Sequence, residues 1–222
     1  MLNLNNKKHL TYLLLIFPPA LVSGPFLPDL ILSISSIYFL FFLIINKNLS
    51  FLNFIFFKIF AIFYIFIVIR SLFTEEVFFS LKNTFFYFRF FIFAYLIKFL
   101  IIHEKVFLNL FYKSFLITLT IISFDAIIEY IYGTHWLFDK SLYQEFTGNY
   151  RVSGLFDEEF ILGGFILSLF PTILFLHISL IDTKKINLRY FSLIFFLILF
   201  IIKILISGER ASFAKLILVL MF

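Results

Sequence analysis

Long apolar stretches separated by short polar joints run the length of the chain. They cover 10–27, 30–45, 51–69, 84–102, 106–124, 160–178, 190–206 and 211–222. Each is apolar all round, without the polar stripe of a helix lying on a soluble core. A helix that crosses a bilayer needs about 20 mostly apolar residues. The pattern therefore predicts an all-α, polytopic transmembrane chain of about eight spans, the last one truncated. Strands of a membrane barrel would be shorter and would alternate in polarity, and these runs do neither. Between the first two runs, Ser23-Gly24-Pro25-Phe26-Leu27-Pro28-Asp29 reads as a tight turn. Pro18-Pro19 is expected to kink the first helix, because proline removes a backbone donor and crowds the preceding turn.

Composition supports the same reading. The 222 residues are 63% hydrophobic and 14% charged, whereas a soluble domain is about half apolar and a quarter charged. A chain this size leaves too much surface exposed to hide that much apolar material, unless its solvent is itself apolar. The 39 phenylalanines are read as a bias within apolar segments and not as an aromatic binding site. Absence of cysteine excludes disulfides, iron–sulfur clusters and cysteine-based zinc sites. The four histidines are scattered: no metal is expected, and His9 and His103 are expected at the ends of spans. Lys7 and Lys8 precede an apolar run as in a signal peptide. A second run follows at once with no small-residue cleavage site between them, so the first run is read as a retained helix.

Net charge is +5, but the basic residues flank apolar runs and are read as topology signals, which argues against nucleic-acid binding. A cytoplasmic N-terminus puts Lys7, Lys8, Lys47, Lys98, Lys105, Lys113, Lys184, Lys185 and Arg189 inside. Arg70, Lys82, Lys140, Arg151 and Arg210 then lie outside. Most acids also fall outside, many of them in 125–159, which is expected to be the longest extramembrane loop of a single domain, 1–222. The last run breaks off at Met221-Phe222, which suggests a fragment or a truncated gene.

No common soluble-enzyme motif is present. Two polar stretches stand out. Arg151-Val152-Ser153-Gly154-Leu155-Phe156-Asp157-Glu158-Glu159 leads into a run that begins Phe160-Ile161-Leu162-Gly163-Gly164. Ser207-Gly208-Glu209-Arg210 joins the last two runs. Both fall on the outer side in this topology.

With the turn at 23–29 and the stretch from Phe124-Asp125 to Gly133, these segments resemble the O-antigen polymerase/ligase family. Its members show an R-x-S-G-x-F loop before a helix and, one helical hairpin later, a [ST]-G-[SE]-R turn. The resemblance covers most of the chain and implies a GT-C-like membrane glycosyltransferase of lipopolysaccharide or other surface-polysaccharide assembly. It implies a bacterial inner-membrane location and transfer of a glycan from undecaprenyl-diphosphate to an acceptor at the periplasmic face. The expected partners are that lipid-linked glycan, membrane lipid and polysaccharide-assembly proteins, with no cofactor. Polymerase and ligase differ in acceptor, and the motifs do not separate them. The rival readings are a polysaccharide flippase or transporter and a non-catalytic membrane subunit.

Under this resemblance Arg151 and Arg210 bind the diphosphate, because guanidinium offers a planar, permanently charged fork that matches phosphate. Arg89, inside its span, is a further phosphate ligand or a snorkelling charge. Lys203 and Lys215 flank the Ser-Gly-Glu-Arg turn as additional ligands. Glu158 and Glu159 are candidates for the general base that activates an acceptor hydroxyl, or a solvated acidic loop end. Gly163-Gly164 is expected to allow close helix packing. Family members carry further functional residues in a large loop nearer the C-terminus, a region outside this sequence.

Overall fold

The computed structural model describes residues 4–46, 55–104, 106–133, 151–156, 161–180 and 186–221, and every regular element among them is helical. In chain order these are α1 (Leu4–Leu15), α2 (Phe17–Ala20), α3 (Phe26–Ile45), α4 (Ile55–Ser71), α5 (Val77–Phe85), α6 (Phe88–His103), α7 (Phe107–Tyr132), α8 (Leu162–Leu180), α9 (Ile186–Ile206) and α10 (Arg210–Met221). A 3-10 turn, Gly154–Phe156, precedes α8. Among the described residues, four helices are long and apolar enough to cross a membrane: Phe26–Ile45, Val77–His103, Phe107–Tyr132 and Leu162–Leu180. They match the runs at 30–45, 84–102, 106–124 and 160–178. The described residues of the other runs are also largely helical. The proline pair acts as expected: the first helix breaks at Ile16, and α2 restarts with the prolines in its first turn.

Where hydrophobicity gives one continuous series of runs, packing divides the chain into two compact units. One comprises Met1–Leu21 and Pro25–Leu108, the other Val22–Gly24 and Asn109–Phe222.

In the first unit, α3 and α6 form the main pair. Serines on α3 keep its surface small, as close packing in lipid requires. Ser35 turns its hydroxyl back to the Ile31 carbonyl at 2.6 Å, and Ser36 donates across to the Arg89 carbonyl at 3.0 Å. One turn further on, fully buried Phe39 meets the rings of Tyr95 and Phe99 at 5.9 and 5.3 Å. The α5–α6 span is interrupted at Phe86-Tyr87. There the Phe85 carbonyl accepts a hydrogen bond from Tyr64 Oη of α4 at 2.9 Å. A carbonyl freed in an apolar segment needs such a partner. Tyr64→Phe removes it and should lower stability by about 1 kcal/mol, read as a lower midpoint of thermal unfolding in lipid nanodiscs. An unchanged midpoint would mean that water or lipid satisfies this carbonyl.

In the second unit, α8 buries Leu162, Gly163, Ile166, Leu169, Phe170, Ile173 and Leu176. This is the three-and-four spacing of one helix face. Phe170 meets Phe200 of α9 edge-on at 4.8 Å. The buried face of α7 is apolar from Phe107 through Ile122 except for Thr118, and then turns acidic at Asp125 and Glu129.

That acidic end corrects the expected loop. The segment 125–159 does not leave the helix at Asp125, because α7 continues through Tyr132 and ends at Gly133, whose φ is +76°. Asp125 and Glu129 sit one turn apart on a helix and are 5% and 1% exposed, not solvated loop residues. A run-by-run reading stops the span at the first carboxylate, whereas the backbone stays helical and the Glu129 carboxylate is received by Ser153 and Gly154.

Candidate functional site

Around the C-terminal end of α7, polar side chains converge on the segments that the sequence singled out. Glu129 accepts from the Ser153 N–H at 3.2 Å, the Ser153 hydroxyl at 3.2 Å and the Gly154 N–H at 2.6 Å. Successive N–H groups form such an anion cradle when the second residue turns left-handed. Gly154 does so, with φ at +58°. A Cβ at Gly154 would come within 3.3 Å of Asp125 Oδ2. The Ser-Gly pair thus serves the fold: one residue supplies a hydroxyl and the other a conformation and an open face.

The second segment is built in a similar way. Glu209 accepts from the Gly163 N–H at 2.8 Å, the Gly164 N–H at 3.0 Å and the Ser212 hydroxyl at 2.6 Å. It caps the N-terminus of α8 from another element, satisfying donors that have no partner within their own helix. Gly163 gives the room expected of it: an added Cβ would overlap Ser207 Oγ and lie 3.2 Å from both Glu209 Cδ and Ser212 Cβ. The two segments also touch directly, the Val152 N–H donating to the Ser207 carbonyl at 3.4 Å.

The arginines sit on this scaffold. Arg151 is half-buried, and its Nε is buried with no hydrogen-bond partner among the described residues. Arg210 opens α10 and is exposed. Lys203 is half-buried one turn before Ser207, with its ammonium 5.7 Å from the Phe200 ring centroid, and Lys215 is exposed on α10. Glu158 and Glu159 lie outside the described residues.

Arg89 belongs to the first unit and has a different setting. Its fork holds Asp29, with Nη2 at 2.5 Å from Oδ1 and Nη1 at 3.0 Å from Oδ2, and Nη1 also reaches Ser33 Oγ at 2.8 Å. The group expected as a phosphate ligand is committed to a carboxylate near the start of α3.

Sequence reasoning passed over Glu129, Ser153 and Glu209 as structural groups. The signal was present: two carboxylates four residues apart at the end of an apolar run occupy one helix face. At the other end of α7, Tyr112 Oη lies 2.6 Å from Nδ1 of His177 on α8. Among the described residues, no three His, Asp or Glu side chains form a metal-binding group.

These features define a class: an α-helical membrane protein with several apolar helices and a polar cluster where two connectors meet. Comparison with family models, with curated proteins and with solved structures yields no match to this chain.

Proposed function

We propose that this protein is a glycosyltransferase of the O-antigen polymerase/ligase type, a multi-pass chain of about eight spans with GT-C-like architecture in a bacterial inner membrane. It moves a glycan from undecaprenyl-diphosphate to an acceptor hydroxyl on the periplasmic side, with the N-terminus in the cytoplasm. The observation that carries this reading is the contact between the Arg151 connector and the Ser207-Gly208-Glu209-Arg210 turn, through Val152 and Ser207. Glu129 and Glu209 in this cluster are already met by N–H and hydroxyl donors. These donors hold both carboxylates against the backbone of the two segments. In glycosyl transfer the acceptor oxygen bonds to the anomeric carbon as the bond to the lipid diphosphate breaks, and negative charge builds on the leaving phosphate. Arg151 and Arg210 stabilise that charge. Lys203 and Lys215 add positive potential around the turn, and an acid of the 157–159 stretch, Glu158 or Glu159, takes the acceptor proton. Arg89 is left out of this site because Asp29 neutralises it.

A well-placed donor to a developing oxyanion contributes about 3–4 kcal/mol, roughly a hundred- to a thousandfold in rate. Arg151→Ala and Arg210→Ala should therefore each abolish long-chain surface polysaccharide in the native cell, with the protein still present in the membrane fraction. Normal polysaccharide in either variant, at normal protein level, would remove that arginine from the mechanism. Normal polysaccharide in both would remove the reading.

A further inference from the structure

A carboxylate in the last turn of a helix faces the negative end of the helix dipole, and burying it adds a desolvation cost. Glu129 meets both penalties: it lies three residues before the end of α7 and is 1% exposed. These penalties are offset because the carboxylate meets donors that would otherwise be buried and unsatisfied. What the carboxylate does here is hold another segment. Its two oxygens take the N–H groups of Ser153 and Gly154 and the Ser153 hydroxyl. Just upstream, the Val152 N–H is tied to the Ser207 carbonyl. Three consecutive residues after Arg151 are therefore pinned, on one side to α7 and on the other to the turn before Arg210. Arg151 leaves from that pinned backbone, and its Nε is buried without a hydrogen-bond partner among the described residues. A desolvated guanidinium nitrogen is costly to leave unmet, and the connector it leaves from is fixed on both sides by these contacts.

We infer that Glu129 is a positioning residue for Arg151: it shapes the Ser153-Gly154 connector so that the guanidinium is held ready for an anionic phosphate, without itself touching that ligand. This inference rests on the functional reading above and gives Glu129 a role that the resemblance does not assign. It predicts coupling. If Glu129 acts through Arg151, removing Glu129 weakens phosphate binding only while Arg151 is present. If Glu129 merely stabilises the fold, the two losses add.

The test is a double-mutant cycle on the purified 222-residue chain in lipid nanodiscs, titrated with a long-chain polyprenyl diphosphate. Arg151→Ala should weaken binding about a hundredfold, in line with loss of a charge-assisted contact. Glu129→Gln keeps the shape and loses one acceptor oxygen, and should weaken binding about tenfold. The double variant should bind no more weakly than Arg151→Ala alone, the non-additivity of residues acting as one unit. Glu129→Gln should also lower the slope of affinity against salt concentration toward that of Arg151→Ala, which a loss of fold stability does not do. Should Glu129→Gln fail to fold, Ser153→Ala removes one donor of the cradle and should weaken binding a few-fold, again only with Arg151 in place. Wild-type affinity in Glu129→Gln, or additive losses, would overturn the positioning role while leaving the diphosphate reading intact. Wild-type affinity in Arg151→Ala would end both.

Discussion

Gly163→Val should pull the start of α8 away from the turn that enters α10. The position has no spare volume: even one added carbon would overlap Ser207 Oγ and press on Glu209 Cδ and Ser212 Cβ, each at 3.2 Å. Ser207 cannot easily yield, since it is fully buried and its hydroxyl is bound to the Ile204 carbonyl at 2.7 Å. Overpacking of this kind costs about 1–3 kcal/mol for the first added carbon, and valine adds two more atoms. If α8 moves to relieve the clash, Glu209 loses the Gly163 and Gly164 N–H groups, two of the three charge-assisted hydrogen bonds around that carboxylate. Gly164→Ala is the control. Its Cβ would meet only Glu209 Oε2 and Ser212 Oγ, both at the ordinary distance of 3.6 Å. It also improves helix propensity, by less than the roughly 0.8–1 kcal/mol of a helix interior because Gly164 lies in the first turn of α8. Thermal unfolding in nanodiscs should therefore show Gly163→Val far below wild type and Gly164→Ala at or near it. Equal losses at the two glycines would show that the close approach of α8 to the 207–212 segment is not what holds this end together.

Arg89→Ala should be the second most damaging change, and through charge, not volume. Removing one partner of a buried pair costs about 3–5 kcal/mol because the other charge is left uncompensated. Arg89 and Asp29 are 24% and 48% exposed, so the loss should fall below that range. Arg89→Lys keeps the charge but not the planar fork that reaches both Asp29 oxygens and Ser33, and should be intermediate. Replacing both partners, Arg89→Met with Asp29→Leu, should recover most of the loss, because no orphaned charge remains. Measured as unfolding midpoints, the cycle should show strong coupling. If Arg89→Ala instead unfolds like wild type and yet abolishes polysaccharide, the guanidinium belongs to the substrate and not to Asp29.

Much of the architecture could be read directly from the chain. Four apolar runs became helices long enough to cross a membrane, because length and hydropathy are local properties and a bilayer demands both. The break at Pro18-Pro19 was legible for a similar reason, since proline acts on its own turn. The reading failed at Asp125. Hydropathy ends the span at that carboxylate, but two more turns of helix follow, and Glu129 finds its donors 24 and 25 residues later in the sequence. Local composition carries no trace of a partner that far away. Gly163 shows the intermediate case: a close approach was foreseen, but the neighbours that make it necessary, Ser207, Glu209 and Ser212, could not be named from spacing.

The sequence by itself thus determined that this is a helical membrane chain, where its apolar helices run, and which two short polar segments carry arginine. Only the tertiary structure decided that those segments touch, that Glu129 and Glu209 serve the backbone, and that Arg89 is paired with Asp29. The division has a physical cause. Helix formation and transfer into an apolar solvent depend on neighbours within a few turns. The partner of a buried charge is chosen by packing between helices far apart in sequence.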